Sequence, residues 1–257
     1  MKKLLFLLAA PLMLCGCDQL KELSNQLGGD DKVAEYIIQN AEKWDDAWED
    51  MFFTNYVMDV HATTAYSNGE QTMSESMHNH LELNDNAILY VLGADTEIPH
   101  ESYYVENANE VWKAYRFDGA SRNYLPYDPV ETGRAETVQQ FKDKLASEAS
   151  LFISFKNYYD KFVFDKDKGE YYCESIISVD LDDQVYKTMD LAARKSHVKF
   201  EKGKLVSISA EYVCVYANEG LSAEQVFEQT DKAGASYRFE IKDINKTVVT
   251  RPTNIVE

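Results

Sequence analysis

Basic residues are scarce in this chain. Twenty-six lysines and arginines stand against 44 aspartates and glutamates, and the net charge is -18. Such a surface repels phosphate backbones, so nucleic acid is excluded as a partner. Catalytic signatures are missing as well. No Gly-x-Ser-x-Gly, His-Glu-x-x-His, Walker or Gly-x-Gly-x-x-Gly pattern occurs. His100 and His197 stand alone, and nothing pairs a nucleophile with a base. The chain therefore reads as no enzyme, and no cofactor is implied. The apolar run Leu4–Leu14 falls short of the roughly 18 residues that a membrane-spanning helix needs. Cysteine is confined to Cys15, Cys17, Cys173 and Cys214.

What is present begins with Cys17. Lys2 and Lys3 precede the apolar run, and Leu14-Cys15-Gly16-Cys17 closes it. A charged start, a short apolar core and a small residue before the cut make a secretory leader. The tetrapeptide resembles a bacterial lipobox, in which the leader is cut before the last cysteine and that cysteine carries lipid. Residues 1–16 are thus expected as a lipoprotein signal peptide, with Cys17 as the lipid attachment site. An ordinary signal peptide, cut after a small residue, is the plainer alternative. One acyl chain holds a protein only reversibly, each buried methylene contributing about 0.8 kcal/mol. The lipobox implies several chains and a stable anchor. The place is then the cell membrane, lipid-anchored, on the extracytoplasmic side. The acidity suits solubility there and keeps the surface off anionic headgroups. Residues 17–30 hold Ser24, Asn25, Gly28 and Gly29 and read as a flexible tether spanning on the order of 20 Å.

Beyond the tether, residues 31–257 read as a single domain. Val33, Ala34, Ile37, Ile38, Ala41, Trp44, Trp48, Met51 and Phe52 recur at steps of three and four. They predict an amphipathic helix over Asp31–Phe52, capped by Asp30 or Asp31. The period then changes to two. Thr54–Tyr66 and Glu70–Leu83 flank Asn68-Gly69, a strong hairpin signal because both turn positions need positive φ. Further strands are predicted at Ala87–Leu92, Ser102–Glu106 and Glu110–Phe117, before a loop with Pro126 and Pro129. Val138, Phe141, Leu145, Ala149, Phe152, Phe155 and Tyr159 predict a second helix over Glu136–Tyr159. Strands resume at Lys161–Phe164, Glu170–Ser178, Met189–Phe200 and Lys204–Tyr216, with a turn at Lys202-Gly203. Ser222 and Gln225 form a capping box for a short helix. Strands at Ser236–Lys242 and Thr247–Thr250 end the chain. This order makes an α+β fold: a curved antiparallel sheet with two long helices packed on its concave face.

A turn at Asn68-Gly69 pairs Ser67 with Glu70. Tyr56 then faces Leu81, Met58 faces Asn79, and Val60 faces Met77. One face carries Tyr56, Met58, Val60, Met73, Met77 and Leu81, since side chains alternate strictly. Methionine suits irregular apolar contents. Two readings stay open: the wall of a ligand cavity, or plain core beneath the first helix. On the opposite face His61 pairs with Ser76, Asp59 with His78, and Val57 with His80. Asp59, His61, His78 and His80 therefore gather within cross-strand reach. Imidazole and carboxylate suit zinc or copper. A solvated outer face that happens to use histidine is the plainer reading, because no tight ligand motif backs the cluster.

Asp165-Lys166-Asp167-Lys168-Gly169-Glu170 starts like a calcium loop. It lacks the third acidic ligand and the closing glutamate, so a hairpin turn explains it better. The predicted strands place Cys214 opposite Leu191. A turn near Asp182-Asp183 places Cys173 opposite Ala192. Two strand spacings, about 9–10 Å, then separate the cysteines, and a disulfide needs Cα atoms within about 7 Å.

The chain resembles the LolA/LppX-like lipoprotein-carrier group over roughly Asp31–Pro252. The likeness is carried by the lipobox, the helix leading into alternating strands, and Tyr104-Val105-Glu106-Asn107 with Val111 and Tyr115. The ending from Phe239 through Val248-Val249-Thr250-Arg251-Pro252 also belongs to it. Lipoproteins of this shape in Gram-positive bacteria look most alike. The resemblance implies an open, incomplete β-barrel whose concave face holds acyl chains or lipidated partners. The expected protein is a membrane-anchored extracytoplasmic lipoprotein that binds or carries a lipid or other apolar ligand. A non-transporting surface interaction module of the cell envelope and a weak metal-binding lipoprotein are the alternatives. Its partners would be the membrane, through lipidated Cys17, and a lipid or lipidated ligand. Cys17→Ser should leave uncut precursor or release soluble protein. Unchanged membrane fractionation and lipid labelling in that variant would refute the anchor.

Overall fold

A computed structural model describes residues 36–38, 40–67, 72–130, 133–147, 153–180, 190–214, 222–229 and 234–257. The expected leader, Cys17 and the tether lie outside the described residues. The first helix, α1 (Ala41–Phe53), starts later than its apolar period predicts. Tyr171 explains this, because its hydroxyl donates to the Ile38 carbonyl and accepts from the Ile38 N–H, at 3.0 and 2.9 Å. Ile38 is thereby tied to the sheet as non-helical chain. Asn40 then caps the helix by accepting from the Lys43 N–H at 2.9 Å, a contact worth about 1 kcal/mol. Thr54, in extended backbone, ends it.

Fifteen further elements follow among the described residues. They are β1 (Tyr56–Ser67), β2 (Thr72–Leu83), β3 (Ala87–Leu92), β4 (Glu101–Ala108), β5 (Val111–Asp118), β6 (Asn123–Pro126), α2 (Val138–Ser147) and a 3-10 helix (Ile153–Lys161). Next come β7 (Val163–Asp165), β8 (Glu170–Cys173), β9 (Ile177–Asp180), β10 (Asp190–Glu201), β11 (Lys204–Cys214), α3 (Ala223–Gln229) and β12 (Gly234–Lys242). The strands form one 12-stranded sheet in the order β6-β5-β4-β3-β2-β1-β12-β11-β10-β8-β7, with β9 also on β10. The ends β6 and β7 do not pair, so the antiparallel sheet is an open half-barrel rather than a closed barrel.

The two long helices are a point of difference. The first has 13 residues. Of the second, the described residues show α2, of 10 residues, and a 3-10 helix over Ile153–Lys161, while residues 148–152 between them lie outside the described residues. Within that 3-10 helix the Phe155 carbonyl accepts from the Trp44 indole at 3.2 Å, a tertiary demand on local backbone. The capping box at Ser222 and Gln225 forms as predicted, with reciprocal bonds of 2.8 and 3.3 Å. Thr247–Thr250 is not a strand. It belongs to an extended C-terminal segment that returns over β6, where Ile255 bridges Tyr124.

The first hairpin is the main correction of register. Ser67 pairs with Thr72, not Glu70, and residues 68–71 join the strands. Every pair moves by two. Tyr56 now faces Leu83 and Met58 faces Leu81, so apolar meets apolar, whereas the two-residue turn sets Met58 against Asn79. A shift of two leaves each side chain on its predicted face. The turn at Lys202-Gly203 forms as predicted, with φ of 52° and 72° and Glu201 opposite Lys204. Asp165 pairs with Glu170, and its carboxylate accepts from Asp167 N and Lys168 N at 2.9 and 3.2 Å. That segment is a hairpin turn. Cys214 lies opposite Leu191 as predicted, but Cys173 lies opposite Ser196. β8 and β11 flank β10, so the cysteines remain two strands apart, and the buried Cys173 is a free thiol.

The main core lies between the inner sheet face and the helices. Trp44 and Trp48 of α1 are fully buried there with Phe155, Phe200 and Ile208. Trp44 is its aromatic centre. Its ring lies 5.0–5.6 Å from those of Phe200, Phe162, Tyr171 and Tyr159. A second cluster, Ala87, Leu89, Tyr104, Tyr115 and Tyr124, packs on Val249 and Ile255 of the C-terminal segment. Trp44→Ala should cost about 3–5 kcal/mol of stability, because those four rings around it collapse poorly into its space. Urea denaturation measures this, and a loss under about 1 kcal/mol would contradict Trp44 as the centre of the core.

Candidate functional site

Alternation places Asp59 and His61 of β1 on the outer sheet face. The observed register sets Asp59 against His80 and His61 against His78. On the other side of β1, the pairing with β12 brings Lys242 opposite Val57. Asp59 Oδ1 faces His78 Nε2 at 2.9 Å and His80 Nδ1 at 2.7 Å. Asp59 Oδ2 accepts from Lys242 Nζ at 2.6 Å. His80 Nε2 lies 3.1 Å from Glu82 Oε1. Glu82 is itself held by Thr250, which donates through its hydroxyl at 3.1 Å and through its N–H.

Asp59 is only 7% exposed, which corrects the picture of a fully solvated face. Burial pushes its carboxyl up, but the bonds from Lys242, His80 and His78 outweigh burial and hold it well below the usual carboxylate range. The ligand atoms of Asp59, His78 and His80 all lie within 4.8 Å of one another. Three of the four predicted residues thus converge. His61 stays beside them, its ring stacked on His78 at 4.4 Å and 15°. Sequence reasoning missed Glu82, Lys242 and Thr250. Alternation along β2 signals Glu82, but nothing local signals the other two.

The inner face carries the second predicted set. Tyr56, Met58 and Leu81 are buried in the main core, and Val60 packs half-buried against it. Met77 is half-buried opposite Ala62. The Met73 side chain lies outside the described residues. A separate open groove of about 650 Å³ lies further along the sheet. Trp112 and Ala114 of β5, Pro126, Tyr127 and Pro129 line it, with Glu136 and Thr137 at the approach to α2. Trp112, Ala114 and Tyr127 also pack on the main core, which puts the groove on the inner side. The Tyr127 hydroxyl is buried without a hydrogen-bond partner. Nearby, the Arg134 guanidinium lies 5.0 Å over the Tyr103 ring and 2.5 Å from Glu101.

No family model matches the chain, and no curated protein matches it. Among solved structures it is similar to LprF from Mycobacterium bovis, at 11% identity and a TM-score of 0.38, over 83% of this chain and 96% of that one. It is similar to a LolA superfamily protein from Nitrosomonas europaea, at 7% and 0.28, over 82% and 94%. It is also similar to a DUF1329 family protein from Desulfovibrio piger, at 9% and 0.23, over 79% and 92%. At these identities and scores, neither ligand nor residue role passes from them to this chain.

Asp59→Ala should lower stability by about 1–3 kcal/mol, because three donors lose a shared acceptor. Thr63→Ala, exposed on the same face, should stay within about 0.5 kcal/mol. Equal effects in thermal denaturation would mean that Asp59 is no hub.

Proposed function

We propose that the chain is a membrane-anchored extracytoplasmic lipoprotein, held at Cys17, that binds a lipid or other apolar ligand on its inner sheet face. The groove between β5 and the approach to α2 supports this reading. Its volume, about 650 Å³, matches small-ligand sites of roughly 300–1,000 Å³. Its walls combine aromatic and proline surface with a few polar groups. Trp112, Pro126 and Pro129 offer contact to a hydrocarbon chain, each methylene contributing about 0.8 kcal/mol when buried. The unpaired Tyr127 hydroxyl offers a hydrogen bond to the polar end of such a ligand. Of the hairpin set, Tyr56, Met58 and Leu81 form a packed floor. Val60 and Met77, half-buried, are the ones left to meet a ligand.

The same packed floor favours a second reading. An inner face filled beneath α1 suits a surface interaction module that carries nothing. Fluorescent fatty acids of several chain lengths separate the two. The carrier reading expects wild-type binding, lost in Trp112→Asp while the melting temperature falls little. Met58→Asp should unfold instead, because a buried unpaired carboxylate costs several kcal/mol. Wild-type protein that binds no acyl probe would remove the carrier reading and leave the interaction module.

A further inference from the structure

We infer that Asp59, His78 and His80 form a binding site for a divalent transition metal ion of the zinc class, on the sheet face opposite the groove. Two imidazoles and one carboxylate are the donor set that zinc and copper prefer, while calcium and magnesium take oxygen alone. Donors about 2 Å from a tetrahedral ion lie roughly 3.3 Å apart. Asp59 Oδ1 already stands 2.9 and 2.7 Å from the two nitrogens. The three donor atoms lie within 4.8 Å of one another on two neighbouring strands, so side-chain movement would bring them to that spacing.

His80 is held at both ring nitrogens, by Asp59 on one side and Glu82 on the other. Both ring nitrogens face carboxylate oxygens, which accept and do not donate. A metal at Nδ1 needs hydrogen on Nε2 only. Glu82 then receives that hydrogen and fixes the ring, the usual outer partner of a metal-bound histidine. Thr250 fixes Glu82 in turn, and Lys242 anchors the other oxygen of Asp59. The ligands are thus oriented from outside, as a prepared site requires. His61 is exposed and stacks on His78. A net charge of -18 favours a cation at every approach.

The test is a zinc titration of the untagged full chain against a chromophoric chelator. One ion per chain should bind with submicromolar affinity. His78→Ala and His80→Ala should each abolish that affinity, and Glu82→Gln should weaken it by about 10-fold. Cobalt(II) on the wild type gives a second measurement that needs no variant. It should show the intense visible bands of a four-coordinate site without a thiolate band in the near ultraviolet. No submicromolar binding, binding unchanged in both histidine variants, or a cobalt–thiolate band would each overturn the site.

Discussion

The pairing of β1 with β12 is the constraint on which everything else depends. Nine residue pairs, from Val57↔Lys242 to Ala65↔Gly234, join the first strand among the described residues to the last. On one side of this seam lie β2 to β6, which follow one another by local hairpins. On the other lie β11, β10, β8 and β7. Without the seam there are two smaller sheets, and α1 would have only half a floor. The seam joins residues about as far apart in sequence as the domain allows, so loop-closure entropy opposes it until most of the sheet exists.

Both faces inherit their roles from that seam. On the inner side, Met58 and Val60 of β1 lie opposite Ile241 and Phe239 of β12. One continuous apolar surface results, and α1 presses Trp44 and Trp48 onto it. The packing there is solid. Further out, at β5, the inner surface meets a loop and a helix approach rather than a helix body, and a groove opens. On the outer side the same alternation sets polar residues in rows. The row through Asp59 draws Lys242 from β12 and two histidines from β2, so one carboxylate ties three strands.

Alternation made the faces of the first hairpin legible in the sequence. The register was not, because Asn68-Gly69 is a strong turn signal that lost to the better match of Tyr56 with Leu83 and Met58 with Leu81. The histidine cluster survived this error only because the slip was even. The late start of α1 was illegible for a different reason. Its apolar period runs unbroken from Val33, and the Tyr171 hydroxyl that claims Ile38 lies 133 residues away. Trp44 acts similarly on the second helical region through the Phe155 carbonyl. The groove was hidden too, since it joins β5 to a proline-containing loop that carries no periodicity.

An open sheet keeps two raw edges, and raw edges invite other chains. Here they are treated unequally. β7 is three residues long and offers little to pair with. β6 is shielded from within. Tyr124 donates its N–H to Asn254 and accepts from the N–H of Val256, both at 2.9 Å. Arg251 fastens the same segment to Glu106. The final stretch of chain therefore works as a guard rail, taking up main-chain valences at β6 that a neighbouring molecule could otherwise use to start a ribbon. A second chain would have to displace that rail before it could pair with β6.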